Sequence, residues 1–320
     1  MSKLYNLKQG SAQLNQMADD GLWSGLTNGR AFFVDPANGN NANSGTSPDQ
    51  AVASIATAHG LCTADQNDVV FFIGGATGNA LTAALDWSKD YTHLIGLSGD
   101  LPGMGQRCRV TGSTTADLAQ LVTFSGDGCI VKNIQFFNGT DVGTAAGAVI
   151  VSGARNYFEN CFFAGMGHAT NAAVATSYSL TLSGSENYFH KCTVGLDTIV
   201  RAAANSELIV SGIRNSFDDC LFLSNSVTAG KFLVKIDNSG GDLRYTRFKD
   251  CIFHNFTENW ANGIDNVFDM PASGSTHYVI LQGNCMLVGV NSGWADTVTR
   301  LYHMLAAPAS GGGVGIAVNT

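Results

Sequence analysis

Three side chains that could exchange protons recur at one position of a repeated unit in the middle of the chain. Glu159, His190 and Asp218 each stand two residues before a cysteine. In stacked repeats, Glu159 and Asp218 would lie two layers apart, about 9–10 Å. That separation is near the upper end of the range for the two carboxyl groups of an inverting glycosidase. Lys132 and Lys249 occupy the same position, however, so a solvated ladder of alternating charges explains the pattern too, and we adopt that interpretation.

The cysteines and glycines do not form a recognisable cofactor motif. The chain has eight cysteines, and the repeat supplies one per unit, which is not the spacing of a chelating site. We therefore predict buried free thiols, no metal and no cofactor. Gly74-Gly75 and Gly103-Met104-Gly105 lack the following helix and acidic residue of a nucleotide-binding loop.

The repeat itself determines the elements that must position these side chains. Three copies share Ser-Gly followed by Asn-x-Phe-x-x-Cys, with nine residues from the serine to the cysteine, and they start at Ser152, Ser183 and Ser211. Degenerate copies precede and follow them. Because a unit of about thirty residues cannot bury its own apolar face, the copies are expected to stack on one another.

Each unit is predicted to form three short strands. The first is an alternating apolar stretch ending at Ser-Gly, the second directs its phenylalanine inward, and the third carries Cys-x-Phe. Asn133 and Asn160 fall at the corner between the second and third strands, where we expect a left-handed backbone. Parallel stacking then aligns equivalent residues in internal columns. The predicted columns are Phe158, Phe189, Phe217 and Phe248, and Cys161, Cys192, Cys220 and Cys251.

These patterns predict an all-β fold, a single parallel β-helix of roughly seven to eight rungs with an N-terminal capping helix. We assign 67–293 to the β-helix, 1–30 to an N-terminal arm, 31–66 to a cap and 294–320 to a C-terminal tail. In the cap, a strand is predicted from Ala31 and a helix over Ala51–Leu61, after Pro48. The apolar arm residues that we assign to subunit contacts are Leu14, Met17, Leu22 and Trp23.

Charge and hydropathy exclude some classes of partner. The formal net charge is −8 and there is no Lys/Arg-rich run, which argues against nucleic acid. No apolar stretch of about eighteen residues occurs, so we predict no membrane span. The N-terminus lacks the apolar core of a signal peptide, and we expect synthesis in the cytoplasm.

The segments Phe32–Pro36 and Ser44–Pro48, together with the Asn-x-Phe-x-x-Cys-x-Phe rungs, make the chain resemble right-handed, pectate-lyase-like β-helix proteins over residues 31–290. This scaffold hosts lyases, glycosidases, adhesins and phage structural proteins, so the resemblance implies a fold rather than an activity. The clustered aspartates with which the lyases bind calcium have no counterpart in the repeat. Of the galacturonase motifs only Asp218-Asp219 is present, and Gly167-His168-Ala169 departs from Gly-His-Gly.

The low charge, short loops, N-terminal arm and Gly-rich tail resemble virion proteins of tailed bacteriophages. This implies a non-enzymatic capsid decoration or cement protein, located in the virion, that forms homo-oligomers, with a trimer favoured, and contacts other virion proteins. One alternative is a tailspike or depolymerase that cleaves host surface polysaccharide as a lyase or glycoside hydrolase. Another is an adhesin that binds glycan without cleaving it.

Overall fold

The computed structural model describes residues 29–98, 108–113, 115–141, 143–226, 231–237, 244–256, 263–271, 277–296 and 300–304. These residues form 26 strands in three sheets, and every strand pairing is parallel. The predicted all-β parallel β-helix is therefore confirmed. The contact residues predicted in the arm, Leu14, Met17, Leu22 and Trp23, lie outside the described residues.

The strands are numbered in chain order and divided among sheets A, B and C. Sheet A contains ten strands: β1 (Ala31–Val34), β2 (Val69–Ile73), β5 (His93–Leu97), β8 (Ile130–Lys132), β11 (Tyr157–Glu159), β14 (Tyr188–His190), β17 (Asn215–Asp218), β20 (Tyr245–Lys249), β23 (Tyr278–Gln282) and β26 (Leu301–Met304). Sheet B contains eight: β3 (Asn79–Leu81), β6 (Arg109–Gly112), β9 (Gln135–Phe137), β12 (Phe162–Ala164), β15 (Thr193–Arg201), β18 (Leu221–Ser226), β21 (Ile252–Asn255) and β24 (Met286–Val288). Sheet C contains eight: β4 (Leu85–Trp87), β7 (Gln120–Phe124), β10 (Gly147–Val151), β13 (Leu180–Leu182), β16 (Leu208–Val210), β19 (Val234–Ile236), β22 (Ile264–Asp269) and β25 (Val290–Ala295).

The chain passes through sheets A, B and C in turn, and each pass adds one rung to the stack. Eight rungs run from β2–β3–β4 to β23–β24–β25, with β1 and β26 extending sheet A at its two ends. Strand pairing thus includes β26, which lies within the segment 294–320 that was predicted to be the tail. Because successive rungs are in register, equivalent residues become cross-strand neighbours about 4.8 Å apart.

The interior is built from repeated apolar columns. Phe158, Phe189, Phe217 and Phe248 are fully buried and stacked, with ring centroids 4.7, 4.6 and 5.1 Å apart. Cys161, Cys192, Cys220 and Cys251 are also buried, and none is in a disulfide. From Cys192 onwards, each thiol donates to the carbonyl oxygen of the column phenylalanine one rung earlier, as Cys192 Sγ does to Phe158 O at 3.5 Å. The thiol column thus adds rung-to-rung hydrogen bonds to its apolar packing.

The corner between sheets A and B is a single residue with a left-handed backbone. Asn133 and Asn160 have φ of 58° and 50°, and Lys191, Asp219 and Asp250 occupy the same position in other rungs. This is the corner at which the sequence pattern predicted left-handed backbone for the two asparagines. Isolated left-handed residues are tolerated most readily by Asn, Asp and Gly.

The corner between sheets C and A explains the Ser-Gly and Asn positions of the repeat. A Cβ atom on Gly184 would lie 1.9 Å from the carbonyl oxygen of Gly153 in the preceding rung, so only glycine fits. The buried Asn187 side chain accepts from the Asn156 amide and donates to Gly153 O at 3.1 Å. These bonds satisfy backbone groups that the turn would otherwise leave unpaired.

The N-terminal segment before the first rung differs from the predicted single helix over Ala51–Leu61. Pro48–Gln50 forms a 3₁₀ helix, Val52 is extended and bridges Val34 of β1, and helix α1 covers only Ile55–Leu61. The α-helix begins late because Ser54 caps it, accepting from Thr57 N at 3.2 Å. Helix α1 buries Ile55 and stacks His59 on Trp87 of the first rung, with ring centroids 4.5 Å apart.

Candidate functional site

The predicted acid–base residues lie on the outward face of sheet A. Glu159 in β11, His190 in β14 and Asp218 in β17 are direct cross-strand neighbours in that order. Lys132 precedes them and Lys249 follows, in the same register. The structure therefore brings all five side chains into one column, with Glu159 and Asp218 two rungs, or about 9–10 Å, apart.

The carboxylates of this column are held by cations from neighbouring rungs. Lys132 forms an ion pair with Glu159, and Arg247 Nη2 lies 2.7 Å from Asp218 Oδ1. His190 lies between two carboxylates, with Nδ1 3.9 Å from Glu159 and Nε2 3.4 Å from Asp219. The column is an alternating ladder in which each acid already has a basic partner, an arrangement that stabilises neighbouring strands.

The electrostatics of Glu159 do not suit a general acid. Partial burial opposes its ionisation, but hydrogen bonding and charge from Lys132 dominate and hold the pKa of Glu159 below its usual value. A glycosidase acid needs the opposite, a raised pKa that keeps the proton available near neutrality. Glu159 is instead a carboxylate fixed in its charged form.

A second ladder follows the corner between sheets C and A. Arg155, Glu186 and Arg214 stand on consecutive rungs with positive φ. Arg155 Nε lies 2.8 Å from Glu186 Oε2, and Arg214 contacts the other oxygen at 2.5 Å. The two arginines, chiefly through the Arg214 hydrogen bond, lower the pKa of Glu186.

A buried ionic network at the end of β15 and in the connections between sheets B and C was not predicted from the sequence. Arg201 and Glu207 are both 1% exposed and lie 3.4 Å apart. Ser179 donates to Glu207 at 2.6 Å, and Lys231 Nζ donates to the carbonyl oxygen of Arg201 at 2.5 Å. Burial raises the pKa of Glu207 to about 7. The pKa of Lys231 is lowered to about 8, mainly by burial and also by the positive charge of Arg201. The connections vary in length, so no repeat pattern links these residues.

The polar groups of this network form their hydrogen bonds within the chain itself. Further bonds from Arg201 reach Ser224 at 2.7 Å and the carbonyl oxygen of Phe232 at 3.1 Å. A buried ion pair with its remaining donors satisfied fixes local geometry, and breaking it is costly. We assign the network to positioning the connections rather than to chemistry.

The described part of the chain offers no cluster of three or more His, Cys, Asp or Glu side chains suited to a metal ion. Among the same residues, none of the helices has the length and apolarity needed to cross a membrane.

The outward face of sheet B is apolar at its C-terminal end. We call this area the sheet B patch, and it consists of the exposed side chains of Ile252, Phe256, Met286 and Val288 together with the half-buried Leu221 and the buried Leu223. The half-buried His254 lies between Leu223 and Val288. Ile252, Phe256 and Met286 are 40%, 48% and 54% exposed. A contiguous exposed apolar area of this kind is typical of an interaction surface.

No protein-family model matches the sequence, and no curated protein is significantly similar to it. Solved structures are similar in fold. A pectin methylesterase in complex with a hexasaccharide has a TM-score of 0.52 at 13% identity, covering 87% of this chain and 91% of that one. A pectin methylesterase from Aspergillus niger has a TM-score of 0.49 at 17% identity, and the match covers 87% of this chain and 91% of that one. A pectate lyase has a TM-score of 0.48 at 16% identity, and the match covers 88% of this chain and 82% of that one.

At such identities the comparison shows a shared fold, the right-handed parallel β-helix, and does not transfer an activity. The class of protein is therefore defined by architecture: a right-handed parallel β-helix whose outward charged side chains form ladders between rungs.

Proposed function

We propose that this chain is a non-enzymatic structural subunit of a phage virion, a capsid decoration or cement protein that acts through subunit and lattice contacts. The observation that carries the proposal is the pairing of Glu159 with Lys132 and of Asp218 with Arg247 on the outward face. Acids paired in this way link neighbouring rungs, and the pairing with Lys132 holds the pKa of Glu159 below its usual value. The exposed sheet B patch supports a role in contacts between proteins.

The first experiment tests for catalysis. Purified protein would be incubated with host surface polysaccharide and with homogalacturonan, and products would be followed by reducing ends and by absorbance of unsaturated uronates. We expect no turnover from the wild type. Turnover that is lost in Glu159→Gln or Asp218→Asn, and retained in the matched ladder variant Lys249→Gln, would overturn the proposal.

The second experiment tests the structural role itself. Particles assembled without the protein should lose integrity at lower temperature or lower salt than native particles, and added protein should restore it. Equal resistance of the two kinds of particle would contradict a cement function.

A glycan-binding or glycan-cleaving tailspike is the second candidate, favoured by one feature of sheet A. Tyr157 and Tyr188 are stacked, with ring centroids 5.6 Å apart, beside His190 on the outward face. Paired aromatic rings can stack against sugar rings, and one protein of similar fold was solved with a hexasaccharide. Calorimetric titration with oligosaccharides decides the point: binding that is lost in Tyr188→Ala, without turnover, would indicate an adhesin.

A further inference from the structure

The sheet B patch is one end of a face that runs the length of the stack. Its outward columns continue through the register pairs Leu221–Ile252–Met286 and Leu223–His254–Val288. This face is most exposed at the final rung, where Met286 is 54% and Val288 39% exposed. Outward positions of a sheet in water are normally polar, so apolar side chains there indicate a covered face.

The same columns are covered at earlier rungs. Gln135, Phe162 and Thr193, which precede Leu221 in the first column, are only 4%, 6% and 2% exposed. In the second column, the ring of Phe137 packs against Gly139 and Gly167, which belong to the connections between sheets B and C. At these earlier rungs the outward face of sheet B is therefore buried, in part beneath the protein's own connections between sheets B and C.

The last connection from sheet B to sheet C is too short to cover the sheet B patch. Strands β24 and β25 are joined by Gly289 alone, whose φ is 73°. A Cβ atom there would lie 2.0 Å from the carbonyl oxygen of Asn255, so the tight turn requires glycine. Within the part of the chain that the structure describes, this one-residue turn provides no side chains to fold over Met286 and Val288.

The charge distribution indicates what covers the patch. The protein carries a net charge of −8, so two copies repel each other unless they meet where the surface is uncharged. The patch contains no Asp, Glu, Lys or Arg, and His254 is the titratable side chain within its columns. Lys249 and Asp250, which pair with each other at 3.9 Å, border the patch at the corner from sheet A. An apolar centre with both signs at its rim suits a second copy of the same chain better than a strongly charged partner.

We propose that the sheet B patch is the self-association surface of this protein, with copies packed side by side through their C-terminal rungs. The proposal rests on the structural role proposed above and specifies its partner as another copy of this chain. A stable interface buries about 800 Å² on each partner, so the patch supplies the apolar core and neighbouring residues the rim.

The test compares matched charge substitutions on the two faces of the last rungs. Ile252→Lys and Met286→Lys place a charge in the patch, whereas Tyr278→Lys places one at a similarly exposed position on sheet A. Molar mass would be measured by light scattering after gel filtration, with circular dichroism to verify folding. We expect an oligomer for the wild type and Tyr278→Lys, and a folded monomer for both patch variants.

A second measurement avoids placing a charge in the patch. All eight native cysteines are buried, so Val288→Cys introduces a thiol whose labelling is distinct from theirs. Its labelling rate should fall at least tenfold between dilute and concentrated protein, while Tyr278→Cys labels equally at both. A monomeric wild type, oligomers that persist in both lysine variants, or a Val288→Cys rate independent of concentration would overturn the proposal. Cementing of particles by a monomer would overturn it while leaving the structural role intact.

Discussion

The outward faces of sheets A and B are built on the same rungs and meet at a one-residue corner, yet they differ in the side chains that they expose to solvent. On sheet A, charged side chains find partners one rung away, as Glu159 does with Lys132. On sheet B, the C-terminal side chains are apolar and Met286 remains more than half exposed. A face with internal pairing needs nothing from outside, whereas an uncovered apolar face is stabilised by a partner. We therefore propose that the functional contacts of the protein lie on sheet B.

The largest effect is expected in the interior that both faces share. Phe189 is stacked between Phe158 and Phe217, so Phe189→Ala should lower the free energy of unfolding by about 3–5 kcal/mol. The matched substitution Phe256→Ala, in the patch, should change it by less than about 0.5 kcal/mol. Urea unfolding of dilute protein checks both values. Equal losses would mean that Phe256 is packed like a core residue.

Acid should destabilise the interior before it affects the sheet A ladder. Burial lowers the pKa of His59, His93 and His277 to about 4, against about 6.5 when unfolded. Unfolding then takes up protons at these three histidines, so stability should fall as pH drops from 6.5 towards 4. Glu207, whose pKa burial raises to about 7, acts in the opposite direction but is a single group against three. His59→Phe, which keeps the contact with Trp87, should weaken this dependence in thermal melts. An unchanged pH slope in the variant would show that His59 does not contribute.

Breaking one ladder pair should have a small effect. Glu159→Gln is expected to cost about 0.5–1 kcal/mol at pH 7, because the pair with Lys132 is only partly buried. The pKa of Glu159 is lowered on folding, so this contribution exists above the usual value of 4.5 and is lost as pH falls through the folded pKa. A double-mutant cycle with Lys132→Met measures the coupling, and zero coupling would remove the ladder as a stabilising feature.

The smallest expected signal concerns the thiols. Burial raises the pKa of Cys62 and Cys108 to about 12 and that of Cys285 to about 11, which keeps them protonated and unreactive. The folded protein should therefore titrate almost no thiol with a chromogenic disulfide reagent, and eight after denaturation. Rapid reaction of several thiols in folded protein would indicate a looser stack than the structure shows.

How much the sequence predicts differs between the interior and the two faces. The phenylalanine and cysteine columns were predictable because four consecutive rungs present the same residue type at the same step. The sheet A ladder followed from that register, since Lys132, Glu159 and His190 share one slot. The corner asparagines followed from the backbone preference of their type.

The sheet B patch was not predictable, because Ile252 and Phe253 are both apolar although only Phe253 is buried. Alternation, which distinguishes inward from outward residues, is absent there. The Arg201–Glu207 pair was not predictable because Glu207 lies in a connection of irregular length and Arg201 ends β15, where the register with β18 shifts. The late start of helix α1 depended on the bridge from Val52 to Val34, a contact between distant segments.

The most direct test of the structural role is an image of the native particle at low resolution, with the protein located by a bound antibody fragment. We predict density at repeated positions on the capsid surface, in oligomers joined through their C-terminal rungs. Density confined to the tip of the tail, with the rungs free towards the host, or absence of the protein from the particle, would contradict it.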